Sequence, residues 1–381
     1  MSEQVSRKFP FRRVSRRSVL QSSTALLSAP FVSKATAVFG QEKLAGTGEV
    51  VVYSYGGSFT EKLRRYVSDP FTKSTGIRVV DVTADNAEPQ IKAMLEAGRV
   101  DWDIAFVNPF WPAYLELQQA GAFIPIDYSL WDDEAQKGVP ESARLKDAVV
   151  AFQNVGVLVY DKRAFPKGGP KNWADFWNMK EFPGPRGLSA NSFIADMAFA
   201  LSADGVTHKG LWRLTDDKID RAFRKLDEIK PHIVKWWTAG GEPIQLLINR
   251  EYALTSAYDG RALVAIKQGA PIRMVWDGAT VTENYWTVLK GGPNSANAQK
   301  FIAFVNRAEI AAAFTQWTGF SSPNLDQLKY LPAELVPLTS ISPDNAAKTV
   351  RYDVPWFLKK RPDGKTNAEH IQERWLTWRA Q

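Results

Sequence analysis

Cysteine is absent from the 381 residues. Its absence excludes disulfides, a thiol nucleophile, iron–sulfur clusters and cysteine-ligated zinc. It also excludes a lipid anchor built on an N-terminal cysteine. Histidine is scarce: His208, His232 and His370 lie far apart, with no second histidine at a helical interval to share a metal. A large basic surplus is missing too, once the charge of +7 is located. Residues 1–37 hold seven of the 48 basic residues (Arg7, Lys8, Arg12, Arg13, Arg16, Arg17, Lys34) and one acid, Glu3, leaving 41 basic against 40 acidic residues in the body. A body so close to neutral lacks the electrostatic footprint of a nucleic-acid binder. There is no phosphate-binding loop. Gly46-Thr47-Gly48 begins a dinucleotide-like pattern, but Val51 stands at its third glycine position. Neither a Gly-x-Ser-x-Gly elbow nor a His-Glu-x-x-His helix occurs. No cofactor is therefore expected. Carboxylates are plentiful, so two acids from distant loops could form a glycosidase pair, and an exported glycoside hydrolase stands as the alternative reading.

What is present is ordinary globular usage, 45% hydrophobic and 23% charged, over a length that suits two or three units at about 150 residues each. Fourteen tryptophans exceed what packing alone demands, and some are expected as flat walls for a ligand. Ser15-Arg16-Arg17-Ser18-Val19-Leu20 precedes a modest apolar run that serines and Pro30 interrupt. That run is too short and polar for a membrane span of about 20 residues. With Ala35-Thr36-Ala37 as a small-x-small cleavage site, residues 1–37 resemble a twin-arginine export signal, and 38–47 read as a linker. The expected location is the periplasm.

Beyond the linker, strands and helices alternate. Glu49–Tyr55, Ile77–Val82, Asp103–Val107, Val155–Tyr160, Gly187–Ala190, Ala253–Tyr258 and Tyr285–Leu289 read as strands. Ser58 and Glu61 have capping-box spacing, as do Thr366 and Glu369, and Gly76 suits a left-handed helix end. Ile219, Ala222, Phe223, Leu226 and Ile229 mark an amphipathic helix over 216–230. Ile371, Trp375 and Trp378 form an apolar stripe that should dock the final helix. The alternation argues for an α/β fold with a largely parallel sheet.

In open α/β sheets, ligands sit outside the carboxyl ends of the strands. Those ends carry Tyr55, Asn108 with Phe110, Asn191 with Ser192, and Tyr258 with Asp259 and Arg261. Gly57 and Ser58 follow the first strand with free backbone donors. Trp237 stands beside the flexible Gly240-Gly241 turn, which suits a cleft rim or, equally, core packing. Asp259 reads either as a ligand partner or as a helix cap. Arg261, in the first turn of the next helix, reads as a carboxylate site or as a brace for Asp259.

Six segments in this order resemble the periplasmic solute-binding proteins of ABC importers, in the branch of the spermidine/putrescine-binding proteins: Phe71–Ile77, Trp102–Phe106, Asn172–Trp177, Lys180–Gly184, Tyr258–Ala262 and Gly319–Asn324. The resemblance implies a two-lobed periplasmic binding protein fold of type II, with the ligand enclosed between lobes. Lobe one would be 48–155 plus 286–320, and lobe two 156–285 plus 321–381. It also implies a small amine-containing ligand, permease subunits with a separate ATPase as partners, and a monomeric protein without enzymatic activity. The ligand-bearing loops would be Tyr55–Ser58, Asn108–Phe110, Asn191–Ala195, Tyr258–Arg261 and Thr282–Asn284. Polyamine binders of this type clamp ammonium groups with carboxylates, because buried ammonium needs counter-charge. Here Asn191, Ser192 and Ala195 occupy one acidic position and Asn284 another, leaving Asp259 and Glu283 as acidic partners. A smaller zwitterion or a carboxylate-bearing amine fits this balance better than a long polyamine.

Replacing Arg16 and Arg17 by lysine is expected to trap the precursor inside the cell, as read by fractionation and immunoblotting. Normal export of that variant would refute twin-arginine targeting.

Overall fold

A computed structural model describes residues 43–84 and 86–381. The export signal, its cleavage site and the start of the linker lie outside the described residues. The first strand, β1 (Glu49–Ser54), is a β-branched run buried on both faces, the pattern of a parallel strand covered by helices. It pairs in parallel with β2 (Arg78–Thr83) and β3 (Ile104–Val107). A second parallel trio consists of β6 (Arg186–Ser189), β7 (Ile233–Trp237) and β8 (Leu254–Tyr258).

Two long antiparallel strands join the trios: β5 (Val149–Asp161) and β9 (Ile272–Leu289). The continuous order is β2-β1-β3-β9-β5-β8-β6-β7, with β4 (Phe123–Ile124) and β10 (Thr349–Arg351) also on β9. The sheet is therefore mixed, parallel at its flanks and antiparallel at its centre. The short readings Val155–Tyr160 and Tyr285–Leu289 are the ends of strands of 13 and 18 residues.

Buried side chains gather on both sides of this seam. One core holds Phe71, Phe106, Phe152, Trp286 and Phe301. A second holds Trp173, Phe199, Leu226 and Trp375, and a third Val157, Leu247, Leu263 and Trp276. Residues Leu325–Lys329, expected with lobe two, pack against the helices Asp133–Gly138 and Ala308–Thr318, which bury side chains in the first core.

Local signals fare unevenly. Gly76 ends its helix at φ 84°, and all five apolar positions of Asp216–Ile229 are buried. Thr366 forms a true capping box: the Glu369 amide donates to its hydroxyl at 3.1 Å, and the Thr366 amide donates to the Glu369 carboxylate at 2.6 Å. Ser58 does not cap. The helix begins at Gly57 behind Gly56, whose φ 78° and ψ −178° are open only to glycine. The final helix, Asn367–Ala380, docks through Ile371, Trp375 and Trp378 as its stripe implies.

Gly319 closes the helix Ala308–Thr318 at φ +85°, and a Cβ there would stand 2.2 Å from the Gly260 carbonyl oxygen. This close approach seats Gly260, and so the helix start that carries Arg261, against the first core. Gly319→Ala is expected to cost at least about 1–3 kcal/mol of stability in urea unfolding, from the left-handed backbone alone. A cost below about 0.5 kcal/mol would show that the contact yields freely.

Candidate functional site

The long strands form the floor of a cleft. Across their register Phe152 faces Asn284, Asn154 faces Thr282 and Gly156 faces Thr280. Side chains alternate along a strand, so these residues share one face while Val155, Val281 and Glu283 share the other. A hydrogen bond from the Thr282 hydroxyl to the Asn154 carbonyl, 3.0 Å long, pins the pair. A bulge on β5 at Ala151 and an irregularity beside Gly156, where the extra residues are on β9, bound this stretch.

Two chambers open on the floor. The first, about 230 Å³, is lined by Asn108, Phe110, Trp111, Asn154, Gly156, Asn191, Ser192, Trp237, Ser256, Tyr258, Thr280, Thr282 and Tyr352, with Phe193, Ile194, Ala195, Phe199 and Ala257. None of them is an acid or a base. The second, about 270 Å³, shares Asn108, Trp111 and Asn154 and adds Tyr55, Asn86, Glu88, Arg261 and Asn284, among others. Its only charged lining residues are Glu88 and Arg261.

The loops that supply these groups are braced from behind. The Ser189 hydroxyl accepts the amides of Asn191 and Ser192 at 3.1 and 3.0 Å, turning the chain at the end of β6. Trp375 of the final helix donates its indole N–H to the Ala190 carbonyl at 3.3 Å. Tyr258 and Ser192 hydroxyls meet at 3.2 Å, and Trp237 stands edge-on to Tyr258 with ring centroids 5.6 Å apart. Burial raises the Tyr258 phenol above its ordinary range, keeping it a neutral donor. In the second chamber the Tyr55 hydroxyl donates to Asn284 at 3.0 Å, and its ring stacks on Phe106. The Asn108 amide donates to the Glu88 carboxylate at 2.9 Å.

Most residues anticipated from strand ends converge here. Asn108, Phe110, Asn191, Ser192, Trp237 and Tyr258 line the first chamber, and Tyr55, Asn108, Arg261 and Asn284 the second. Four lie elsewhere. Gly57 is exposed, Ser58 is exposed on the same short helix, and neither lines a chamber. Glu283, on the opposite strand face from Asn284, is ion-paired with Arg351 and lines a neighbouring cavity that shares Phe110, Thr282 and Tyr352 with the first chamber. Asp259 is buried, and its carboxylate accepts the Val155 amide at 3.0 Å. That bond makes it a link from β8 to β5, and no ion pair joins it to Arg261 among the described residues.

Sequence reasoning passed over Glu88, Trp111, Asn154, Ser256, Thr280 and Tyr352, whereas Thr282, at the start of the expected Thr282–Asn284 loop, does line the first chamber. Glu88 had a usable signal, an acid in the first turn of the helix Ala87–Glu96 that follows β2. Asn154 and Thr280 had none, being polar residues inside strands whose two faces read alike.

Two lobes sharing a pair of strands, with chambers where strand ends converge, define a protein that captures a small solute by enclosing it. The family model for bacterial extracellular solute-binding proteins matches residues 67–332, and the chain belongs to that family. It is 31% identical to the gamma-aminobutyric acid-binding protein of Pseudomonas aeruginosa over 90% of this chain and 94% of the relative. A solved ABC transporter structure from Rhodopseudomonas palustris is 33% identical, with TM-score 0.72, over 87% of this chain and 99% of that one. The binding protein AgtB of A. tumefaciens R10, solved in complex with agropinic acid, is 30% identical at TM-score 0.67, over 88% and 99%. The chain is thus the solute-binding component of an ABC importer, acting with permease and ATPase components, and the hydrolase alternative falls. Among the described residues no helix is long and apolar enough to cross a membrane.

Burial pushes the Asp259 carboxyl up to about 7 against the opposing pull of its backbone donors. Between the ordinary carboxylate range and about pH 7, the folded chain keeps a proton that the unfolded chain releases, so stability falls as pH rises through that window. In Asp259→Asn this contribution is absent. The urea midpoint of the native protein is expected to decline relative to the variant from about pH 4 to about pH 7 and to run parallel above. Parallel curves throughout would place the Asp259 carboxyl in its ordinary range.

Proposed function

We propose that the captured solute is a small zwitterion, an amine bearing a carboxylate, of which γ-aminobutyrate is the simplest probe. The observation that carries this reading is the charge pair of the second chamber. Arg261 makes no ion pair among the described residues and offers a carboxylate a charge-assisted partner. Glu88 lines the same chamber and offers an ammonium its counter-charge. A polyamine would need an acid for every buried ammonium, and the two chambers together supply Glu88 alone. The name of the Pseudomonas aeruginosa relative supports the same chemistry.

The lobes close about the shared strands β5 and β9, the ligand adding contacts that the open state lacks. The acting form is a periplasmic monomer, exported through the twin-arginine motif and cleaved near Ala37.

Calorimetry and thermal shift with γ-aminobutyrate, putrescine and spermidine test the assignment. γ-Aminobutyrate is expected to bind, to raise the melting temperature and to be recovered chemically unchanged. Arg261→Ala should weaken it by about 1.5–3 kcal/mol, as for other hydrogen bonds to charged groups. Tightest binding of spermidine or putrescine, unaffected or improved by Arg261→Ala, would return the protein to the polyamine binders.

A further inference from the structure

The loop Asn108–Trp111 is rooted in the first core at both ends. Ile104–Val107 precede it, and Tyr114 and Leu117 of the helix Pro112–Gln119 follow it, all packed in that core. Phe110, between them, packs in the second core. Its ring stands edge-on to Tyr352 and Phe357, with centroids 5.7 and 5.4 Å away, and Trp212 closes this socket edge-on to both. Trp111, the next residue, is left 44% exposed, whereas Phe110 is 8% exposed. One side chain of the first lobe is thus a member of the second lobe's core.

The topology explains the crossing. β3 and β10 lie on the same edge of β9 and run toward each other, β3 ending opposite Tyr285 and β10 opposite Val281. Residues 282–284 of that edge have no strand partner among the described residues. Phe110, three residues past β3, meets Tyr352, the residue after β10, across this gap. The contact is separable. Phe110 and Tyr352 line both the first chamber and the neighbouring cavity of about 210 Å³, so the ring has open space on two sides and can leave its socket without tearing a packed layer. The loop is also tied to the solute site. Asn108 lines both chambers, its amide donates to Glu88 at 2.9 Å, and its side-chain carbonyl accepts the Phe110 amide at 2.9 Å. A solute that engages Asn108 or Glu88 therefore holds the segment that carries the ring.

We infer that Phe110 is a positioning residue for capture, a latch that holds the two lobes together over the solute rather than a wall that recognises it. The inference rests on lobe closure about β5 and β9 and holds whichever solute is captured. An aromatic contact made only in the closed state raises the affinity of every solute alike, because apparent affinity scales with the closed fraction.

The absence of cysteine makes the test direct. Lys92→Cys and Arg224→Cys, at exposed positions of the helices Ala87–Glu96 and Asp216–Ile229, carry one spin label in each lobe. Label-to-label distances by pulsed electron resonance, and calorimetry with γ-aminobutyrate, are compared in the otherwise native mature protein and with Phe110→Ala, Phe110→Leu and Phe357→Leu added. Phe110→Ala is expected to lower the closed fraction with and without γ-aminobutyrate and to weaken binding at least about tenfold. Phe110→Leu, which refills the socket without a ring, should fall between. Phe357 lines neither chamber, so its effect reaches the solute only through the latch. Phe357→Leu should weaken binding about threefold, with no further loss when added to Phe110→Ala. Distances that Phe110→Ala leaves unchanged, or losses from the two sites that simply add, would overturn the latch and return Phe110 to the ligand wall. A closed fraction that falls in Phe110→Ala while γ-aminobutyrate binds none of the proteins would remove the zwitterion reading and keep the latch.

Discussion

The pairing of β5 with β9 is the constraint on which the rest depends. Each strand passes from the first core into the third: Val149–Phe152 and Trp286–Leu289 pack in one, Val155–Val159 and Ile272–Val281 in the other. The same two strands are therefore both floor and connection. A slip of one residue in their register would turn Asn154, Thr282 and Asn284 to the back and bring Val155, Val281 and Glu283 into the cleft. The site is specified as much by strand phase as by residue identity.

Buried charge inside the protein is mostly consumed by the backbone. Asp103 accepts the amides of Val51 and Asn294, Asp259 that of Val155, and the fully buried Arg186 donates to the carbonyls of Phe176, Phe182 and Gly184. Such groups are satisfied without a counter-ion and tie loops to strands. Glu283 is taken up by Arg351. The charged side chains that line the two chambers are one carboxylate, Glu88, and one guanidinium, Arg261.

The first parallel trio, two strands of the second and most loop contributions were legible because each rests on a local rule: a β-branched run, a turn, and a polar or aromatic residue just past the strand. Thr366 and Gly76 were legible for the same reason. β7 was not read as a strand because Lys235-Trp236-Trp237 carries no clear alternation, and β10 has only three residues. The centre of the sheet was hidden for a deeper cause. Where both faces of a strand are buried, period-two patterning vanishes, and nothing in the chain tells which face meets a cleft and which a core. Glu283 and Asn284 are adjacent letters with opposite destinations, and only the register decides between them. Asp259 shows the complementary failure: the right loop was found, but a backbone donor 104 positions earlier claims its carboxylate.

The final helix gives the binding surface an unexpected debt to the far end of the chain. Trp375 holds the Ala190 carbonyl, Trp378 donates to Asp227 at 2.7 Å, and the Lys230 ammonium sits 4.4 Å over the Trp378 ring. The loop that presents Asn191 and Ser192 is thus propped by a helix 185 positions further along the chain. The amide wall of the cleft stays unsupported until that helix has docked, so the site is complete only once one of the longest-range contacts of the fold has closed.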